Sequence, residues 1–102
     1  MNNGLPTLSR QEGLILEQLV GGELFGLDLV KRSNGTLKRG TVYVTLGRMQ
    51  DKGYVESRTE PLPPGAIGLP RRFYRPTPFG LRVMDASTLA ALAFAERMAQ
   101  GA

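Results

Sequence analysis

Apolar residues recur at helical spacing near the start of the chain. Ile15, Leu16 and Leu19 share one face of a helix. The preceding run Ser9-Arg10-Gln11-Glu12 is a capping box, in which the serine and glutamate side chains each accept a hydrogen bond from the other residue's backbone N–H. A first helix is therefore predicted to begin there and to end at Gly21-Gly22.

A second, shorter apolar pattern follows. It predicts a helix from about Phe25 to Ser33 with Leu27 and Val30 turned inward. Asn34-Gly35 then supplies the residue types that adopt a left-handed backbone at low cost, which is typical of the end of a helix.

A third helix is predicted from Arg39 or Gly40 to Lys52, and Gly53 ends it. At about 100° per residue, Val42, Leu46 and Met49 fall on one side. Tyr43 and Gln50 lie at the boundary, and the opposite side carries Thr41, Val44, Thr45, Arg48, Asp51 and Lys52. We expect one face in the core and one polar, cationic face in solvent, with an exposed valine on it.

Alternation and β-propensity predict a strand from Tyr54 to Thr59 and another from Arg71 to Arg75. Between them, residues 60–70 contain four prolines and two glycines. Proline has no backbone N–H to donate to a neighbouring strand, and both residue types favour turns, so an irregular hairpin tip is predicted. A two-stranded hairpin is marginal by itself, so it must pack on the helices. Its contributors to the core are expected to be Val55, Phe73 and Tyr74.

The last apolar pattern predicts a long fourth helix. Thr77-Pro78 is an N-cap followed by proline at the first helical position, and the helix can run to about Ala99. It is apolar on two sides, whereas a small domain covers only one of them, so a partner helix is expected on the other. Membrane-surface binding is the competing use, but the helix lacks a flanking cationic face. The predicted dimer interface is Leu81, Met84, Leu92, Ala95 and Ala99.

Length and composition exclude several kinds of chemistry. The chain has 102 residues with no Cys, no His and no Trp, which suits one domain held together by packing alone. Zinc fingers, thiolate catalysis and His-based triads are excluded, and neither paired carboxylates nor a phosphate-cradling loop is visible. We therefore predict no catalytic residues, no metal site, no cofactor and no enzyme. The N-terminal residues resemble neither a signal peptide nor a membrane span, which predicts a cytoplasmic protein.

Charge is unevenly distributed along the sequence. The net charge is +4, but the segment 31–82 has eleven basic and three acidic residues and carries +8, while the ends together carry −4. Clustered Lys and Arg are what a polyanion-binding face needs. A solvated charged surface is the alternative.

Three short helices followed by a hairpin with a long tip form the element order of a winged helix-turn-helix, an α+β fold. The sequence also resembles the PadR family of transcriptional regulators from about Leu8 to Met84. The resemblance rests on short motifs in the right order: Phe25-Gly26, Gly40-Thr41-Val42-Tyr43 with Leu46, Arg48 and Met49, Lys52-Gly53-Tyr54-Val55, and Arg72-Phe73-Tyr74-Arg75-Pro76-Thr77 with Gly80.

The resemblance implies a dimeric bacterial repressor in which the third helix enters the major groove, the wing lies along the backbone or minor groove, and C-terminal helices dimerise. Residues 1–76 would form the DNA-binding domain and 77–102 a dimerisation helix packed on it. The hairpin tip is longer and more proline-rich than a typical wing.

The predicted DNA-binding residues lie on the third helix, just before it, or beside the wing, and most of them carry a hydrogen-bond donor or a positive charge. Arg48 suits a bidentate contact to guanine, and Val44 suits a thymine methyl group. The alternatives are a salt bridge from Arg48 to Asp51, a core role for the Tyr43 ring, and solvated charges on the wing. The predicted set is Lys38, Arg39, Gly40, Thr41, Tyr43, Val44, Thr45, Arg48, Arg71 and Arg72.

These expectations predict a sequence-specific regulator of transcription, a homodimeric repressor that binds double-stranded DNA at an inverted-repeat operator. The alternative is a winged-helix protein-interaction module without DNA binding, since a fold does not fix a function. A small-molecule effector is possible, but the sequence does not show one.

Overall fold

The computed structural model describes residues 7–101. Within that range the chain forms four helices and three strands. In chain order these are α1 (Arg10–Leu19), β1 (Leu24–Phe25), α2 (Gly26–Arg32), α3 (Arg39–Asp51), β2 (Val55–Glu60), β3 (Arg71–Pro76) and α4 (Pro78–Gln100).

The predicted helix boundaries have local causes that the structure confirms. Ahead of α1, the Glu12 N–H donates to Ser9 Oγ at 3.2 Å, and the Ser9 N–H donates to Glu12 Oε1 at 2.8 Å. Ahead of α4, Thr77 Oγ1 accepts from the Gly80 N–H at 2.9 Å. Asn34 and Gly35 take left-handed backbone angles, with φ of 51° and 85°, and turn the chain from α2 toward α3.

The core lies where α1, α2 and α3 meet. Ile15, Leu16 and Leu19 of α1 are wholly buried, as predicted. The predicted core face of α3 is also confirmed, since Val42, Leu46 and Met49 have no exposed surface.

The predicted inward face of α2 is confirmed for Val30 and wrong for Leu27. Leu29 is fully buried, whereas Leu27 is half-buried and lines a surface cleft, and Val30 is half-buried against the core. The reason is that Gly26 is the other buried residue of α2, so the inner face follows Gly26 and Leu29, three positions apart.

The sheet has three antiparallel strands in the order β1-β3-β2, not the two that were predicted. Strand β1 is only a residue pair, too short for alternation to reveal, and it pairs Leu24 with Tyr74 and Phe25 with Phe73. Phe73 does not enter the core, contrary to the prediction, because side chains alternate along β3 and its neighbour Tyr74 occupies the inner face. The Phe73 ring instead makes an edge-to-face contact with Phe25 at 5.8 Å between centroids. Val55 and Tyr74 are buried as expected.

The hairpin of β2 and β3 is the wing of a winged helix-turn-helix, and the α+β prediction is confirmed. Its register runs from Val55 opposite Pro76 to Glu60 opposite Arg71. Residues 61–70, which we call the wing tip, project beyond the last pair without regular structure.

Helix α4 packs on the domain only through its first turns. Gly80 lies so close to Tyr54, the residue before β2, that a Cβ there would come within 2.0 Å of the Tyr54 carbonyl oxygen. Val83 is buried and Met84 packs against the core, but every described residue after Met84 is exposed. The helix therefore extends the molecule to 63 × 29 × 25 Å. None of the helices in residues 7–101 has the combination of length and apolar content that crossing a bilayer requires.

Candidate nucleic-acid interface

The outer face of α3 is open to solvent. Thr41, Val44 and Arg48 are exposed, and Val44 keeps 56% of its surface although it is aliphatic. The polar and cationic face that periodicity predicted is therefore present, and the valine stands on it.

One member of the predicted set lies elsewhere. Thr45 is 93% buried, since only 7% of its surface is exposed. The helical angle placed it on the polar side, but α1 packs alongside α3 and covers it. Thr45 therefore forms part of the floor of a groove rather than its rim.

That groove runs between the start of α1 and α3 and encloses about 620 Å³. Its α1 wall is Ser9, Gln11 and Glu12, and its α3 wall is Gly40, Thr41, Val44, Thr45, Arg48 and Lys52. We call it the α1–α3 groove.

An ion pair between a half-exposed lysine and a buried glutamate closes one end of the α1–α3 groove. Lys52 Nζ lies 2.7 Å from Glu12 Oε2, and only 5% of the Glu12 side chain is exposed. Burial of this carboxyl raises its pKa, but the hydrogen bonds from Lys52 and from the Ser9 backbone, together with the Lys52 charge, hold the pKa of Glu12 below its ordinary value. The pair joins α1 to Lys52, the residue at which α3 ends.

Sequence reasoning missed this pair. It identified Glu12 as a capping residue and placed Lys52 on the solvent face of α3. No local pattern connects residues that are forty positions apart.

A second opening, which we call the wing cleft, separates the other side of α3 from the wing and measures about 640 Å³. Four cationic side chains line it: Lys31, Arg39, Arg71 and Arg72. Phe25, Tyr43 and Tyr74 supply aromatic surface. The structure therefore brings Arg39 of α3 together with Arg71 and Arg72 of the wing, whereas Arg48 lines the α1–α3 groove.

Tyr43 shapes the wing cleft. Its ring lies over Gly26, where a Cβ would come within 2.5 Å of Tyr43 Cε1, and 41% of the residue remains exposed. Tyr43 is therefore not the plain core aromatic of the alternative interpretation. Burial raises the pKa of the neighbouring Tyr74 above its ordinary value, so its hydroxyl stays protonated at neutral pH.

The wing arginines differ in their surroundings. The Arg71 guanidinium lies 5.5 Å from the centre of the Phe25 ring, and Arg72 Nη1 lies 3.3 Å from Ser57 Oγ. Arg75 instead pairs with Glu56 at 2.6 Å, and Arg58 pairs with Glu23. The hydrogen bond from Arg58 holds the pKa of Glu23 below its ordinary value.

Within residues 7–101, the five cations of the predicted DNA-binding set have no carboxylate within 4.0 Å; these are Lys38, Arg39, Arg48, Arg71 and Arg72. The alternative for Arg48, a salt bridge to Asp51, is not formed. Lys38 and Arg39 also stand at the start of α3, where no side chain caps the helix and its first turn holds no acidic residue. That end of the helix therefore favours anions.

The predicted dimer-interface residues lie along α4. Leu81 is half-buried, Met84 packs against the core of its own domain, and Leu92 is 62% exposed. Ala95 and Ala99 are exposed. Phe94 and Met98, which the prediction left out, are 67% and 60% exposed and lie beyond the end of the domain.

Comparison with known proteins gives one family. The model of the Transcriptional regulator PadR-like family matches residues 15–86. No curated protein sequence matches the chain.

Several solved structures have a fold similar to that of this chain. A PadR family transcription regulator from Clostridium difficile R20291 is 23% identical with a TM-score of 0.74, and the match covers 90% of this chain and 97% of that one. A PadR-like transcription factor from Bacteroides fragilis is 19% identical with a TM-score of 0.77, over 89% and 88% of the two chains. Bacillus subtilis PadR in complex with operator DNA is 26% identical with a TM-score of 0.64, and the match covers 74% of this chain and 44% of that one.

Proposed function

Because the chain belongs to the PadR-like family of transcriptional regulators, we propose that it binds double-stranded DNA as a homodimer and represses transcription from an inverted-repeat operator. Residues 1–76 would bind DNA and 77–102 would dimerise. The proposal assigns no catalytic step to the chain.

One observation carries the proposal. Helix α3 stands between the α1–α3 groove and the wing cleft, and the cations of the predicted set, which are Lys38, Arg39, Arg48, Arg71 and Arg72, have no carboxylate partners in the described part of the chain. A helix with free space on both sides fits the major groove, which is about 12 Å wide. Unpaired cations on its flanks suit the phosphates that border that groove.

The exposed residues fall into two groups, one suited to base contacts and one suited to phosphate contacts. Arg48 presents a guanidinium for guanine, and Val44 presents methyl groups for thymine. Thr41, the backbone of Gly40, and the charges of Lys38 and Arg39 suit phosphate at the start of α3. Tyr43, Arg71 and Arg72 suit phosphate across the wing cleft. Thr45 lies in the floor of the α1–α3 groove and is not among the proposed DNA contacts.

The Bacillus subtilis relative supports DNA binding, since its structure contains operator DNA and it shares the fold with this chain. The argument for a homodimer comes from α4. Beyond Met84 an apolar arc of this helix has no cover from its own chain. The proposed interface is Leu81, Met84, Leu92, Ala95 and Ala99, extended by Phe94 and Met98.

The test begins with duplexes selected from a random pool by the full-length protein. Affinities of the wild type, Arg48→Ala and Arg72→Ala are then measured by fluorescence anisotropy on the selected duplex and on random DNA. Arg48→Ala is expected to cost about 1–3 kcal/mol on the selected duplex and to relax the preference at one base pair. Arg72→Ala is expected to weaken binding to both duplexes alike. Equal losses on both duplexes from both variants would contradict the assignment, and selection of no duplex would refute DNA binding.

A further inference from the structure

The wing cleft combines positive charge with the absence of acidic side chains. Within residues 7–101, none of its lining residues is acidic, and its four cations have no carboxylate within 4.0 Å; these are Lys31, Arg39, Arg71 and Arg72. The α1–α3 groove differs, because the carboxylate of Glu12 stands in its wall. The wing cleft is therefore the opening that favours anions more strongly.

Aromatic and aliphatic side chains form the remaining walls of the wing cleft. Tyr43 is 41% exposed and Leu27 is half-buried, and both line the cleft. The Arg71 guanidinium lies 5.5 Å from the centre of the Phe25 ring. Contacts to the DNA backbone use charge and hydrogen-bond donors. Phosphate binding therefore accounts for the cations of the cleft and leaves its aromatic surface without a partner.

A nucleobase suits that aromatic surface. Bases stack on tyrosine rings and on the planes of arginine guanidinium groups. The exposed part of the Tyr43 ring and the guanidinium of Arg71, which is held against Phe25, are surfaces of this kind. Arg39 and Arg72 then remain for phosphate groups, whose oxygens match the fork of an arginine side chain.

The size of the wing cleft fits a small molecule. Its volume of about 640 Å³ lies within the range of about 300–1,000 Å³ that small-molecule sites span. The bases of a DNA duplex are stacked and paired inside the double helix. A free nucleotide can therefore present its base and its phosphates to the cleft together, whereas a duplex presents its phosphates alone.

We propose that the wing cleft binds a free nucleoside polyphosphate, with the base on Tyr43 and Arg71 and the phosphates at Arg39 and Arg72, and that this ligand competes with operator DNA. The competition rests on the proposed function, whereas nucleotide binding does not depend on it. All four side chains are also proposed contacts to DNA phosphates, so the two ligands exclude each other. Nucleotide binding then releases the protein from DNA.

Isothermal titration calorimetry of the free wild type, with ATP, GTP, adenosine and inorganic tripolyphosphate as ligands, tests the site. We expect ATP or GTP to bind about 5- to 150-fold more tightly than tripolyphosphate, which is the factor that stacking of one base contributes. Adenosine, which has no phosphate, is expected to bind more weakly than ATP. Tripolyphosphate that binds as tightly as both nucleotides would show a nonspecific polyanion surface and overturn the proposal. So would the absence of binding by either nucleotide.

Three variants locate the bound nucleotide. Arg71→Ala removes a cation of the wing cleft and should weaken ATP binding at least about tenfold. The matched control, Arg10→Ala, removes the same charge from the start of α1, lines neither opening and should leave the affinity within about twofold. Tyr43→Leu keeps an apolar side chain and should lose the preference for ATP over tripolyphosphate. None of the three residues belongs to the core, so the variants are expected to fold. Equal effects of Arg71→Ala and Arg10→Ala would overturn the assignment to this cleft.

Competition is measured by fluorescence anisotropy on a duplex selected by the full-length wild type, at constant ionic strength. Addition of ATP should raise the apparent Kd for the duplex by the factor 1 + [ATP]/Kd, with the ATP Kd taken from calorimetry. Bound ATP that leaves the DNA affinity unchanged would overturn the competition. A wild type that binds ATP and selects no duplex would refute the proposed function, and with it the competition, while the nucleotide site would stand.

Discussion

Replacing Leu92 with alanine tests whether α4 is the dimer interface. Leu92 is 62% exposed and Leu89 is 66% exposed, so the same substitution can be made at two matched sites. Around the helix, Leu89 lies among Arg82, Asp85 and Glu96, whereas Leu92 lies between Asp85 and the apolar arc that carries Ala95 and Ala99. Only Leu92→Ala should weaken the dimer.

The expected loss of dimer free energy follows from the fraction of Leu92 that is exposed in the monomer. Full burial of a leucine side chain contributes about 1.5–3 kcal/mol, so covering the part that is exposed at Leu92 contributes roughly 1–2 kcal/mol. A two-fold dimer contains this contact in two copies, which gives roughly 2–4 kcal/mol per dimer. Since about 1.4 kcal/mol is a factor of ten, the dimer Kd should rise about 30- to 700-fold.

Sedimentation equilibrium of the wild type, Leu92→Ala and Leu89→Ala over a wide concentration range measures this shift. Neither leucine belongs to the core, so thermal unfolding of dilute monomer should be alike in both variants. A wild type that remains monomeric at micromolar concentration, or an equal effect from the two variants, would refute the interface.

Three further predictions concern stability and charge. Gly80→Ala should destabilise the fold by about 3 kcal/mol or more in denaturant titrations, because its Cβ would meet the Tyr54 backbone, whereas Gly47→Ala in the open middle of α3 should stabilise it by up to about 1 kcal/mol. Glu12→Gln should lower the free energy of unfolding by about 1–2 kcal/mol at pH 7. Because the pKa of Glu12 is lowered on folding, its contribution is complete above the ordinary value of 4.5 and disappears as pH falls through the folded pKa, so wild type and variant should converge in acid. Finally, phosphate contacts from the five cations of the predicted DNA-binding set should give a log–log salt slope of about −4.5 per half-site in anisotropy titrations, and a slope near zero would contradict phosphate contact.

Local chemistry determined most of the elements from the sequence alone. The capping box at Ser9, the Thr77-Pro78 start of α4 and the inward face of α3 were all predicted correctly, because caps and periodicity depend on residues within one or two turns of each other. The wing and the cationic middle of the chain were likewise predictable. Their order along the chain was enough to indicate the family.

Only the tertiary structure decided which of these surfaces are covered and which are joined. Thr45 has a helical angle that suits solvent, yet α1 packs over it. The Glu12–Lys52 pair, the strand Leu24–Phe25 and the meeting of Arg39 with Arg71 each require segments far apart in the sequence. Periodicity fixes the direction of a side chain from its own helix axis, but burial and partnership depend on what the rest of the chain places opposite that side chain.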